Sequence, residues 1–211
     1  MSIFFHETLH RTAEVVERLH AASVTICGAG ALGANITESL ARAGLRTFTL
    51  IDDDRVEERN LSTQPYQRGD IGALKAKMMA NMVYRAVGAE VDARAQRLTD
   101  TTVQKLLGGS ALVVDTFDNS PSRRLVKDWC AETGTPCLHA GLADGYAEVI
   151  WNDHYRVPSP AQDDICDYPL ARNLVTLAVS VACEVLIDFI ATGSQRSYTV
   201  TLADFAVRPF I

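Results

Sequence analysis

Gly28, Gly30 and Gly33 follow an apolar run at 24–27 and open a stretch whose apolar residues recur at helical spacing. A turn of this kind can hold a phosphate. Gly28 permits a tight bend, Gly30 lets the backbone approach an anion, and Gly33 lets the following helix pack closely on the strand. The helix start then offers unpaired N–H groups and a partial positive charge. Asp52 stands 19 residues beyond Gly33, at the end of a second apolar run. That is where an acid usually meets a ribose hydroxyl. A purely structural turn needs no such acid, so these residues predict nucleotide binding. Asp115, Asp118 and Asn119 follow a later apolar run at 111–115. Asp118 can hold a magnesium ion, which takes one or two carboxylates together with phosphate oxygens. Equally, Asp118 and Asn119 can cap the helix that begins near Ser122.

Such residues need a scaffold that gathers strand ends. The pattern predicts strands at 24–27, 47–51, 91–96, 111–115, 136–140, 147–151 and near 197–202. Helices are predicted at 7–20, where Leu9, Val15, Val16 and Leu19 form an amphipathic face, and at 32–43, stopped by Gly44. Others are predicted at 74–87, 101–107, 122–132 and 173–191. Strands alternating with helices imply an α/β, Rossmann-like fold: a mostly parallel, doubly wound sheet with helices on both faces and a late antiparallel portion. Ligands of such sheets bind outside the carboxyl ends of the strands, so the residues above converge on one rim. Two long loops, 53–70 and 152–170, flank this region, and long ordered loops are often functional. No repeat or linker divides the chain, and a single domain over 1–211 is expected.

Hydrophobic content of 47% and charged content of 22% fit a globular protein. The net charge of −6 excludes a general binder of nucleic acid or anionic membrane, which needs clustered Lys and Arg. Residues 1–5 are too short for a signal peptide. The apolar stretch 174–190 carries Glu184 and Asp188 and reads as a buried helix, so a cytoplasmic protein is expected. Cys27, Cys130, Cys137, Cys166 and Cys183 contain no C-x-x-C pair, which disfavours both a disulfide framework and a zinc ribbon. Cys27 and Cys183 read as core residues. His6, His10, His20, His139 and His154 read as structural or solvated, with His139 near the rim.

Four further stretches sharpen the reading. They are Gly28-Ala29-Gly30-Ala31-Leu32-Gly33, Asp54-Arg55-Val56-Glu57-Glu58-Arg59-Asn60-Leu61-Ser62-Thr63-Gln64, Asp70-Ile71-Gly72-Ala73-Leu74-Lys75-Ala76, and Val114-Asp115-Thr116-Phe117-Asp118-Asn119. In this order they resemble the ThiF/MoeB/HesA family, prokaryotic relatives of ubiquitin-activating enzymes, over residues 20–190. The resemblance implies ATP- and magnesium-dependent adenylation of the C-terminal carboxylate of a small ubiquitin-like or sulfur-carrier protein. Some members then form a persulfide or thioester on a cysteine. It assigns nucleotide binding to Gly28, Gly30, Leu32, Gly33, Asp52, Asp54 and Asn60, and a phosphate-reaching role to Lys75. It assigns magnesium to Asp118. The competing reading of Lys75 is a solvated lysine at a helix start, where its charge opposes the dipole. The resemblance also implies a homodimer and a carrier whose Gly-Gly tail threads past the 152–170 loop.

The pattern breaks in places. The family carries arginine where this chain has Thr63, and a hydroxyl cannot replace a forked cation. Arg59 or Arg68 is a candidate substitute. Arg11 is the candidate for a second family arginine that arrives from the N-terminal segment of a partner. The cysteine pairs that hold zinc in many relatives are missing, so no metal beyond magnesium is expected. Cys166, flanked by Asp163, Asp164 and Asp167, lies near the position of the reactive cysteine of relatives. The acids around it raise a thiol's pKa and oppose reactivity. Two other readings compete: a catalytically silent nucleotide-binding scaffold, supported by Thr63, and an NAD-dependent oxidoreductase, suggested by the glycine turn alone.

Overall fold

Short runs rich in Val, Ile and Leu become strands buried on both faces, as parallel sheets require. The computed structural model describes residues 2–159 and 170–210. Its strands are β1 (Ser23–Cys27), β2 (Thr47–Ile51), β3 (Glu90–Arg94), β4 (Val113–Asp115), β5 (Cys137–Ala143), β6 (Tyr146–Trp151), β7 (Tyr198–Thr201) and β8 (Ala206–Pro209). Among the described residues they form one sheet in the order β3-β2-β1-β4-β5-β6-β7-β8. The first five are parallel, and β5 through β8 pair antiparallel. This is the expected architecture.

Two apolar clusters lie on opposite faces, because alternate strand residues point oppositely. Val24, Ile26 and Val114 face a cluster with α2 (Ala13–Ala21), α3 (Ala31–Ala43), α4 (Lys75–Val87) and α7 (Arg172–Thr192). Cys27 and Val113 face a smaller one with α5 (Val103–Leu107) and α6 (Ser120–Thr133). By length and composition α7 could cross a membrane, yet Leu174, Val175, Ala178, Ala182 and Leu186 are buried in the larger cluster. Cys27 and Cys183 are core residues, as read from the sequence, and Cys130 and Cys137 are buried with them.

Two elements differ from expectation. The N-terminal helix is two helices, α1 (Phe5–Arg11) and α2, broken at Thr12, whose φ of 79° is costly for a β-branched residue. The break lets Val16 and Leu19 of α2 enter the core, while Leu9 of α1 stays 70% exposed. The other is β8, a short edge strand with a terminal proline and no apolar alternation. Its only structural cue is its pairing with β7.

Register brings the candidate residues level. Cys27 pairs with Ile51 on one side and with Asp115 on the other. Gly28, Asp52 and Thr116 therefore leave the sheet side by side at its carboxyl rim, where the strand order steps from β1 to β4.

Candidate functional site

The glycine turn is held from both neighbouring strands. The Gly28 N–H donates to Ile51 O at 2.8 Å, and the Thr116 hydroxyl donates to Cys27 O at 2.8 Å. Gly28 has a φ of 97°, a region that side chains rarely adopt. At Gly33 a Cβ would run into the Gly28 carbonyl and the Thr116 hydroxyl, so this position closes the helix onto the strand. At Gly30 a Cβ would meet nothing within 4 Å, so the backbone there faces open space. Gly30 caps α3 without any side-chain hydrogen bond, and no acid occupies the first turn, which includes Leu32. The early N–H groups of α3 thus remain available to an anion.

Asp52 is buried beside this turn. Its Oδ2 accepts from the Ala29 N–H at 2.7 Å and its Oδ1 from the Asp54 N–H at 2.8 Å. Burial pushes its carboxyl up to about 6, against the pull of those N–H groups and of Lys75. Tyr66, also buried, donates its hydroxyl to Ala29 O at 2.8 Å, and Asn35 of α3 donates to Thr63 O at 2.9 Å. The loop at 53–70 is therefore fastened to the glycine turn at Ala29 and to α3.

Lys75 opens α4 and is only 7% exposed, so it is not a solvated surface lysine. Its ammonium donates to Asp54 Oδ2 at 2.9 Å. A cation at a helix start opposes the dipole, and a buried one also loses hydration. Asn60 sits in a 3₁₀ turn (Glu58–Ser62), where its Oδ1 accepts the Glu57 N–H at 2.9 Å. The Thr63 and Gln64 side chains are buried. Gln64 Oε1 has no hydrogen-bond partner among the described residues, an orphaned acceptor that a ligand donor would satisfy.

At the end of β4, the helix cap falls to Asn119, whose Oδ1 accepts the Ser122 N–H at 2.9 Å. Asp118 is exposed, and its one side-chain hydrogen bond among the described residues is from Asn119 Nδ2 at 3.4 Å. The capping role that the sequence allows for Asp118 thus belongs to its neighbour. No group of three or more His, Cys, Asp or Glu among the described residues could hold a metal by itself. A magnesium ion here would need phosphate oxygens as well.

An open backbone, an uncapped helix start, a buried acid and a buried lysine share this rim, and the ThiF family model matches residues 7–195. The chain belongs to the ThiF family. It is 35% identical over 128 residues to the SAMP-activating enzyme E1 of Haloferax volcanii, covering 59% of this chain and 47% of that protein. It is 36% identical over 139 residues to the sulfur carrier protein adenylyltransferase of Thermus thermophilus, covering 64% and 51%. The chain thus spans about half the length of these relatives. Its fold matches E. coli MccB solved with ATP, at a TM-score of 0.82 and 20% identity, over 100% of this chain and 71% of that one.

Not every expected residue of this ThiF-family chain joins the rim. Cys166 lies outside the described residues. Arg11 is held in a groove between α1 and α7, its Nη1 on Glu184 at 2.8 Å and its Nε on Glu7 at 2.7 Å. The partner carboxylates raise its pKa further, against the effect of burial. Arg59 is exposed and paired with Glu57, and Arg68 lies in an exposed 3₁₀ turn (Arg68–Asp70). A cation remote in the chain also reaches this turn: Arg172, at the start of α7, donates its Nη1 to Ser62 O, next to Thr63, at 3.4 Å. Sequence reasoning missed Arg172 and Gln64: one is remote in the chain, and the other is betrayed only by its burial. A concavity of about 350 Å³ between Gln67, Asp70, Met78 and Tyr84 includes Asp70 of the family-like stretch but none of the residues assigned to nucleotide or magnesium.

Proposed function

We propose that this chain activates the C-terminal carboxylate of a small ubiquitin-like or sulfur-carrier protein by adenylation with ATP and magnesium. The observation that carries this reading is the rim itself, where uncapped α3, buried Asp52 and buried Lys75 surround the open backbone at Gly30. Family membership and relatives named for adenylating sulfur carriers support the same chemistry. In this reading a carboxylate oxygen bonds to the α-phosphorus while the bond to pyrophosphate breaks. Two anions must meet, so alignment and charge neutralisation supply most of the catalysis, with no strong base required.

Asp52 accepts from a ribose hydroxyl while keeping Ala29 in place, and the first N–H groups of α3 donate to phosphate oxygens. Lys75 leaves Asp54 for the phosphates, or bridges both. Asn60 and Gln64 add polar contacts from the loop, with the Gln64 carbonyl open to a donor. Arg172 takes over as the cation beside Thr63, with a planar fork suited to phosphate. Asp118 would hold magnesium together with phosphate oxygens, and the ion would supply neutralising charge there. A Gly-Gly tail threads toward the rim past the 152–170 loop, of which 160–169 lie outside the described residues, the working unit is a homodimer, and the compartment is the cytoplasm. Any later transfer to a thiol falls to Cys166.

The test is exchange of labelled pyrophosphate into ATP with a panel of Gly-Gly-terminated carrier proteins. Exchange should need carrier and magnesium, and should be lost in Lys75→Ala. Tight ATP binding without exchange across the panel would favour the scaffold reading that Thr63 suggests.

A further inference from the structure

Beneath Asp118 lies a set of buried charges that the chemistry above leaves unused. Asp115 and His139 are fully buried and Arg123 is 8% exposed. His139 spans two segments: Nδ1 is 2.8 Å from Asp115 Oδ2 and Nε2 is 2.7 Å from Asn152 Oδ1. The Asn152 amide is oriented by donating its own Nδ2 to Lys127 O at 3.2 Å. Arg123 lies 3.7 Å from Asp115 and donates to the Tyr155 hydroxyl at 2.8 Å and to Ala140 O at 2.9 Å. The Tyr155 ring stacks flat on His139, with centroids 3.8 Å apart and planes 8° apart.

Stability alone does not account for this set. Buried ion pairs gain little over well-packed apolar residues of similar volume, because desolvation offsets their attraction. Their connectivity has a direction, however. At one end Asp115 Oδ1 accepts the Phe117 N–H at 3.1 Å, which shapes the turn one residue before Asp118. At the other end stand Asn152 and Tyr155, at the start of the loop past which the carrier tail would thread. The Ser120 hydroxyl donates to Pro158 O at 2.9 Å, a second tie just beyond Asp118. The turn at 116–119 is thus fastened to 152–158 on both sides.

We propose that Asp115, His139, Arg123 and Tyr155 are positioning residues that couple the place of the 152–159 segment to the place of the Asp118 carboxylate. This inference rests on the adenylation reading for its purpose. A tail lying on 152–159 would then steady the magnesium-side carboxylate. A rearranged segment would withdraw it.

Tyr155→Phe is the test variant, since the ring can stay on His139 while Arg123 loses its hydroxyl acceptor. ATP affinity is measured by calorimetry with magnesium and with EDTA, and deuterium uptake is followed by mass spectrometry. The affinity gained from magnesium should fall about 10-fold, the scale seen when a group that orients a metal ligand is removed, with the EDTA affinity unchanged. Uptake should rise at 116–119 and at 152–158 together. An unchanged magnesium gain accompanied by a lower melting temperature would reduce the set to a structural feature and overturn the inference. If the unmodified protein binds no ATP, the adenylation reading fails by itself. The uptake arm then decides alone: a rise at both ends keeps the coupling, and a rise at one end or neither removes it.

Discussion

The ends of β1 and β2 and the end of β4 are built in opposite ways. At the first, both Asp52 oxygens hold backbone N–H groups, Tyr66 takes the Ala29 carbonyl, and Gly33 leaves no room for a methyl group. At the second, Asp118 is exposed, with one long contact among the described residues, to Asn119. The first end is preorganised by folding, so little ordering remains when a nucleotide binds. The second leaves an exposed carboxylate above a turn that the buried Asp115 holds through the Phe117 N–H. One rim thus combines a side chain fixed by folding with one that folding leaves open.

Alanine at two glycines tests that contrast most severely. Gly33→Ala should lose ATP binding and about 1–3 kcal/mol of stability through overpacking, visible as a lower melting temperature. Gly30→Ala, with open space around its Cβ, should melt within about 1 °C of the unmodified protein and lose ATP affinity alone. Equal melting of the two variants would break the idea that only one of these glycines is buried in the cradle. Next in size is Asp118→Ala. Pyrophosphate exchange should drop on the order of 10²-fold while the melting curve stays put, because the side chain is exposed. A large shift in melting would make Asp118 part of the scaffold.

Asp52 sharpens the comparison through pH. Its folded pKa is raised from 3.8 to about 6 by burial, so the folded protein holds the proton more tightly than the unfolded chain does. The stability this contributes is complete below pH 3.8 and is lost as pH rises through about 6. Melting of the unmodified protein should therefore fall relative to Asp52→Asn across that window, by about 3 kcal/mol at most. ATP affinity relative to the same variant should move the other way, rising as the carboxylate ionises to accept the ribose. Parallel trends would remove Asp52 from nucleotide binding. Arg172→Ala should show the smallest effect, about threefold weaker ATP binding, the scale of an exposed charge contact. Unchanged affinity would return Arg172 to the surface.

Much of this was legible in the chain. Seven of the eight strands in the described sheet, the helices that cover them, and the glycine turn with Asp52 follow from local patterns of apolar spacing and glycine. The broken helix at Thr12 was not legible, because the break answers to where Val16 and Leu19 must pack rather than to any breaker residue. Nor was β8, whose existence depends on β7 offering its edge.

By itself the sequence determined the mostly parallel α/β class, the gathering of Gly28, Asp52 and Thr116 at one rim, and the motifs by which the chain belongs to the ThiF family. Backbone requirements at Gly28 and Gly33 and the period of the apolar residues act within a few positions of the chain. Only the tertiary structure decided that Lys75 is buried against Asp54, that Asn119 and not Asp118 caps α6, and that Arg172 reaches Ser62 from 110 residues away. It alone placed His139 between Asp115 and Asn152. Desolvation and long-range hydrogen bonds arise only when distant segments pack together, and the charge state and partners of a side chain are settled there.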